Sequence, residues 1–120
     1  MTTTQSEEQT MTWTRVCHLG ALVPDRGAAA LVDGHQVAVF LRSDSGQVHA
    51  IDHLDPFSHA NVMARGLMGT RQGVPTVASP MHKQTFDLTT GQCLDDPEVA
   101  VRVWPARVVD GFVEIASLAT

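Results

Sequence analysis

The sequence predicts an all-β domain: stacked antiparallel sheets forming a sandwich or partial barrel, with no long helix. Three observations carry this. Short apolar and β-branched runs recur between clusters of Gly, Pro, Asp, Ser and Thr. Asp-Gly pairs at 33–34 and 110–111 each sit between two such runs, the two-residue signature of a hairpin turn. No long stretch repeats its apolar residues at helical spacing.

Taken in order, Trp13 to Cys17 reads as the first strand, and Leu19 to Gly27, with Pro24-Asp25-Arg26-Gly27, as a turn-rich connection. Ala28 to Val32 and His35 to Leu41 flank Asp33-Gly34 as a hairpin. Ser43-Asp44-Ser45-Gly46 turns the chain into a strand from Gln47 to Asp52. The stretch 54–97 is punctuated by Gly66, Gly69 and Gly73. Within it, Thr85 to Leu88 and Gln92 to Leu94 flank a Thr-Thr-Gly turn. Val99 to Val103, Ala106 to Val109 and Phe112 to Ala116 are expected to close the main sheet. The alternation Val101, Val103 and Val113, Ile115 turns one apolar face inward. Residues 11–118 thus read as one domain. Residues 1–10, Met-Thr-Thr-Thr-Gln-Ser-Glu-Glu-Gln-Thr, read as a disordered tail. They have neither the cationic start nor the apolar run of a signal peptide, so the cytoplasm is the expected location.

Composition narrows the function. With 120 residues and 43% hydrophobic content, the chain can bury a real core. A net charge of −5 leaves no basic surface for tracking phosphates, and 5% aromatics with no Tyr supplies few platforms for stacking bases, so nucleic acid is not an expected partner. The apolar runs are too short to span a bilayer. No nucleophile–base pair, phosphate-cradling Gly loop or nucleotide fingerprint is present, so no catalytic residue is expected. Cys17 and Cys93 lie far apart in sequence and read as small buried hydrophobes rather than as a disulfide or metal ligands.

Two loop motifs are the most informative part of the chain. One is Ala78-Ser79-Pro80-Met81-His82-Lys83, followed by Phe86-Asp87-Leu88, Thr90-Gly91 and Asp95-Asp96-Pro97. The other is Leu54-Asp55-Pro56-Phe57-Ser58-His59-Ala60-Asn61-Val62, followed by Arg65-Gly66. The second-loop pattern resembles the ligand loop of Rieske ferredoxins, which runs Cys-Pro-x-His, then a Phe-Asp-Leu strand, a Thr-Gly turn and an Asp-Asp-Pro exit. Ser79 stands in the cysteine position and His82 in the histidine position. In the first loop, Asp55 takes the cysteine position and Phe57 the histidine position. With Asp-Pro-Phe, Ala-Asn-Val, Arg-Gly and Ser-Pro-x-x-Lys in place, the chain resembles the small subunits of NADH-dependent assimilatory nitrite reductase, a Rieske-like family lacking the cluster ligands. The resemblance spans Thr12 to Ile115 and implies a Rieske-like fold in which 54–97 forms a small two-loop subdomain, the former cluster-binding one.

That resemblance implies an accessory subunit with no cofactor of its own. Its partner would be the large subunit, carrying FAD, an iron–sulfur cluster and sirohaem and reducing nitrite to ammonium with NAD(P)H. The implied contact is the loop tip: Asp55, Phe57, Ser58, His59, Met81, His82 and Lys83. The chemistry agrees, because a Rieske cluster needs two thiolates on one iron and two imidazoles on the other, and positions 55, 57 and 79 supply neither. Phe57 and Met81 are expected to fill the vacated space, while Asp55 and Ser79 bond neighbouring backbone groups. Two alternatives stay open: a mononuclear zinc or iron site built from His53, Asp55, His59 and His82, and a structural module of another oxidoreductase complex.

Overall fold

The computed structural model describes residues 11–81 and 83–118; the expected tail at 1–10 and the ligand-position histidine His82 lie outside the described residues. The described strands are β1 (Met11–His18), β2 (Gly27–Val32), β3 (His35–Leu41), β4 (Val48–Asp52), β5 (Leu67–Arg71), β6 (Val74–Ala78), β7 (Thr85–Asp87), β8 (Val103–Trp104), β9 (Ala106–Val109) and β10 (Phe112–Leu118). They form three antiparallel sheets, in the orders β1-β10-β9, β2-β3-β4-β8 and β5-β6-β7. The only helical elements among the described residues are two 3-10 turns, Leu19–Ala21 and Met63–Arg65.

Strand β3 shows why the layers stack. Side chains alternate between faces along a strand. Val37 and Val39 enter one core with Val32, Ala50, Trp104, Val113 and Ile115. Ala38 and Phe40 enter a second core with Ile51, Met63, Val77, Phe86, Leu88, Cys93 and Val101. The unbroken apolar run of β3 is therefore that of a strand buried on both faces, and its sheet is the middle layer. The second core joins this layer to β5-β6-β7, the sheet that carries the two loops. The outer face of the β1-β10-β9 sheet is tiled by charge. Glu114 accepts from Arg15 Nη2 (3.1 Å) and Arg107 Nε (2.9 Å), while Arg15 stacks on Phe112 and Arg107 on Trp13, about 4 Å from the ring centres.

Three hairpins turn through residue pairs with positive φ at both positions, as a type I′ turn requires. Two are the expected Asp33-Gly34 (51° and 80°) and Asp110-Gly111 (53° and 80°). The third, Gln72-Gly73 (53° and 82°), joins β5 to β6 in a stretch that the sequence reads only as punctuated loop. Three expectations need correction. Val99–Val103 is not one strand: only Val103 continues into β8, while the Val101 N–H turns aside to the Gly91 carbonyl (2.9 Å). Nor do these segments close a single sheet, since β8 extends the middle layer and β9 and β10 pair with β1. Likewise, Gln92–Leu94 makes isolated bridges from Cys93 to Phe86 and from Gln92 to Ala100 rather than forming a strand.

Candidate functional site

Both loops leave the ends of strands that the second core holds fixed. The first follows β4 and is pinned by His53. The His53 carbonyl accepts from the N–H groups of Val62 and Met63 (3.0 Å each), and its Nδ1 accepts from the Ala64 N–H at 3.1 Å. Burial, helped by the Arg65 charge, holds the His53 pKa below the usual imidazole value, so the ring stays a neutral acceptor. The second loop follows β6 and returns as β7. It is tied down where the Thr85 N–H donates to Asp95 Oδ2 (2.8 Å) and the Leu94 N–H to the Thr85 carbonyl (2.7 Å).

The two loops are backbone copies of one another. Asp55 N–H donates to the Ala60 carbonyl (2.8 Å), and the Asp55 carbonyl accepts from His59 N–H (2.8 Å). Ser79 N–H donates to the Gln84 carbonyl (2.9 Å), and the Ser79 carbonyl accepts from Lys83 N–H (2.9 Å). Proline follows in each case, Pro56 and Pro80, fixing φ at the next residue. Phe57 N–H donates to Asp55 Oδ1 (2.8 Å), as Met81 N–H donates to Ser79 Oγ (3.3 Å). The fifth residue of each loop is left-handed, His59 at φ 63° and Lys83 at φ 64°. For a non-glycine residue that conformation costs about 1–2 kcal/mol, so the closing hydrogen bonds must hold it.

The copies meet through their first residues. Ser79 Oγ donates to Asp55 Oδ2 at 2.5 Å, with both side chains essentially excluded from solvent. Burial alone would raise the Asp55 pKa, but hydrogen bonds from Ser79 Oγ and the N–H groups of Phe57 and Ser58 outweigh it and leave the carboxyl below its usual range. Asp55 is therefore ionised at neutral pH.

The remaining sequence candidates fall into two groups. Phe57 is half-buried, packs on the second core and sits 6.2 Å from Phe86 ring to ring. Met81 does not fill the vacated space as expected: it is 49% exposed. Ser58 is spent within its own loop, its Oγ accepting from the Ala60 N–H (3.3 Å). His59 and Lys83 are exposed at the two left-handed positions. Leu54, 43% exposed, bridges to Asn61 at the base of the first loop. The sequence also missed the bond between the loops, having assigned Asp55 and Ser79 only backbone partners. As for the metal alternative, the described residues contain no group of three or more His, Cys, Asp or Glu placed to hold an ion, and His53 Nδ1 is already engaged. Because Phe57 is only partly buried, Phe57→Ala is expected to cost about 2 kcal/mol, below the range for a fully buried Phe. Urea unfolding checks this, and unchanged stability would remove its space-filling role.

Comparison with known proteins extends the geometry. The family profile described as "Rieske-like [2Fe-2S] domain" matches residues 12–116. The nitrite reductase (NADH) small subunit of Salmonella typhimurium is 43% identical over 103 residues, covering 86% of this chain and 95% of that protein. A crystal structure described as an NADH-dependent nitrite reductase small subunit from Mycobacterium tuberculosis superposes with a TM-score of 0.88 at 48% identity, covering 92% of this chain and 98% of that one. The nitrite reductase (NAD(P)H) large subunit of Klebsiella oxytoca contains a segment 41% identical over 105 residues, which is 88% of this chain and 11% of that protein. The described residues do not fit the iron–sulfur group in the profile's description. At the positions corresponding to ligands, Asp55 and Ser79 are hard oxygen groups already bonded to each other, and Phe57 offers no donor.

Proposed function

The chain belongs to the nitrite reductase small-subunit family of Rieske-like domains, and we propose that it is the accessory small subunit of an NAD(P)H-dependent nitrite reductase reducing nitrite to ammonium. The observation that carries this is a Rieske-like family match over residues 12–116 in which three ligand positions hold Asp55, Phe57 and Ser79, groups unsuited to a cluster. Such a chain contributes a surface rather than a redox centre. The Klebsiella relative supports the choice of partner, since a module like this one lies within the polypeptide of a large subunit there. A separate chain of the same fold then docks where the fused module sits. In this reading FAD, the iron–sulfur cluster and sirohaem belong to the large subunit.

The contact is assigned to the loop tip, where Phe57, Ser58, His59, Met81 and Lys83 lie on two strand-anchored loops; the sequence assigns His82 to the same contact. Asp55 acts from beneath them, since it is fully buried and meets no partner directly. No helix among the described residues is long and apolar enough to cross a membrane. We place the complex in the cytoplasm, where Cys17 and Cys93, both free, remain thiols. The test is NADH-dependent nitrite reduction by the large subunit with and without this chain, alongside co-purification of the two. A stable complex whose rate rises on addition is the expected result. No complex and no change in rate rejects the partner.

A further inference from the structure

We propose that Asp55 and Ser79 form a metal-free latch that performs the mechanical task of a cluster, tying the two loops into one preformed docking surface. The proposal rests on the accessory-subunit reading for its partner, and on the loop geometry alone for the latch.

Four features argue for it. First, the two loops repeat the same backbone hydrogen-bond pattern, the same proline and the same left-handed fifth residue, so they form a matched pair. Second, the only side-chain hydrogen bond between the loops among the described residues joins the first residue of each, Ser79 Oγ to Asp55 Oδ2. These are the two positions that correspond to the thiolates. Third, each of these side chains also accepts the N–H two residues on, from Phe57 and Met81. One buried bond therefore links two backbone turns that would otherwise close independently. Fourth, both groups are desolvated, where a charge-assisted hydrogen bond is strong and its loss leaves the carboxylate short of a donor. The latch holds the arrangement of Phe57, Met81, His59 and Lys83 before any partner arrives, so binding does not have to order the loops. Asp55 and Ser79 are thus positioning residues, acting through the side chains they fix.

The coupling is measurable in the full chain. Ser79→Ala changes only the second loop, yet the amides of Phe57 and Ser58 in the first should exchange with solvent about tenfold faster or more, with the β3 amides unchanged. Asp55→Asn keeps an acceptor for those amides and a polar group facing Ser79, so it should speed their exchange less than Ser79→Ala does. If Ser79→Ala leaves first-loop exchange untouched, the loops are independent and the latch is refuted. Affinity for the large subunit is the second readout: Ser79→Ala should weaken binding about tenfold, and Asp55→Asn should largely preserve it. Faster loop exchange with undiminished affinity refutes the positioning role. If the wild-type chain does not bind the large subunit, the accessory reading fails while the exchange result still decides the latch. Finally, wild-type chain incubated anaerobically with iron and sulfide should acquire no cluster chromophore; its appearance would overturn the proposal.

Discussion

Replacing Asp55 by alanine is expected to lower the stability of the domain by about 3 kcal/mol at neutral pH. The carboxylate accepts three hydrogen bonds in a site closed to water: Phe57 N–H at 2.8 Å, Ser79 Oγ at 2.5 Å and a longer contact from Ser58 N–H at 3.4 Å. Alanine removes both acceptor oxygens, and with them all three bonds. The Ser79 hydroxyl can rotate toward another group, but the Phe57 amide is fixed by the turn and cannot. Offsetting this, the variant no longer desolvates a carboxylate, which keeps the loss near 3 rather than above 5 kcal/mol. Asparagine retains an oxygen for the two amides and should cost about 1 kcal/mol. The pH dependence separates the charge from the shape. The folded pKa of Asp55 is depressed, so its contribution is complete above the unfolded value, about 3.9, and disappears as pH falls through the lower folded value. Guanidinium unfolding should therefore show a gap between wild type and Asp55→Ala that is constant near neutrality and narrows below about pH 4. A gap that persists undiminished in acid would mean that the ionised carboxylate is not what stabilises the loops.

Much of this fold is legible because local chemistry and global packing agree. Asp33-Gly34 and Asp110-Gly111 are residues that tolerate left-handed backbone, set between runs that alternate or stay apolar, and both became hairpins. The β5–β6 hairpin had no comparable signal. Gln72 is an unusual residue for a left-handed turn position, Gly69 interrupts one strand, and Pro75 removes a donor from the other. Pairing across the sheet, from Leu67–Ala78 to Arg71–Val74, overrides those preferences. The Val99–Val103 run failed for the opposite reason. It carries strand-like residues, but its Val101 N–H and Val99 carbonyl are claimed by Gly91 and Cys93 instead of a neighbouring strand. At the site, the replaced ligand positions could be read directly from residue types. The bond between Asp55 and Ser79 could not, because it spans 24 residues of sequence and depends on how two loops face each other.

The Gly91→Ala substitution should damage the domain more than any other single methyl addition in its turns. Gly91 lies at φ 81°, where a Cβ is strained by about 1–2 kcal/mol. In addition, that Cβ would sit 2.1 Å from the Val101 carbonyl oxygen and 3.0 Å from Val103 Cγ2. The oxygen belongs to backbone, so it cannot rotate away. The clash also falls on hydrogen bonds that hold this turn to the Val101 segment: the Gly91 N–H donates to the Asp87 carbonyl (2.7 Å), and the Gly91 carbonyl accepts from Val101 N–H (2.9 Å). Strain and overpacking together are expected to cost about 4 kcal/mol, lowering Tm by about 15 °C or more. Gly34 supplies the control. It has nearly the same φ, 80°, but open space where its Cβ would be. Gly34→Ala should therefore show the backbone strain alone, about 1–2 kcal/mol. Equal losses in the two variants would show that the Val101 segment yields to accommodate the methyl. A Gly91 loss at least twice that of Gly34 would show that this close approach clamps the end of β7, and with it the base of the second loop, to the core.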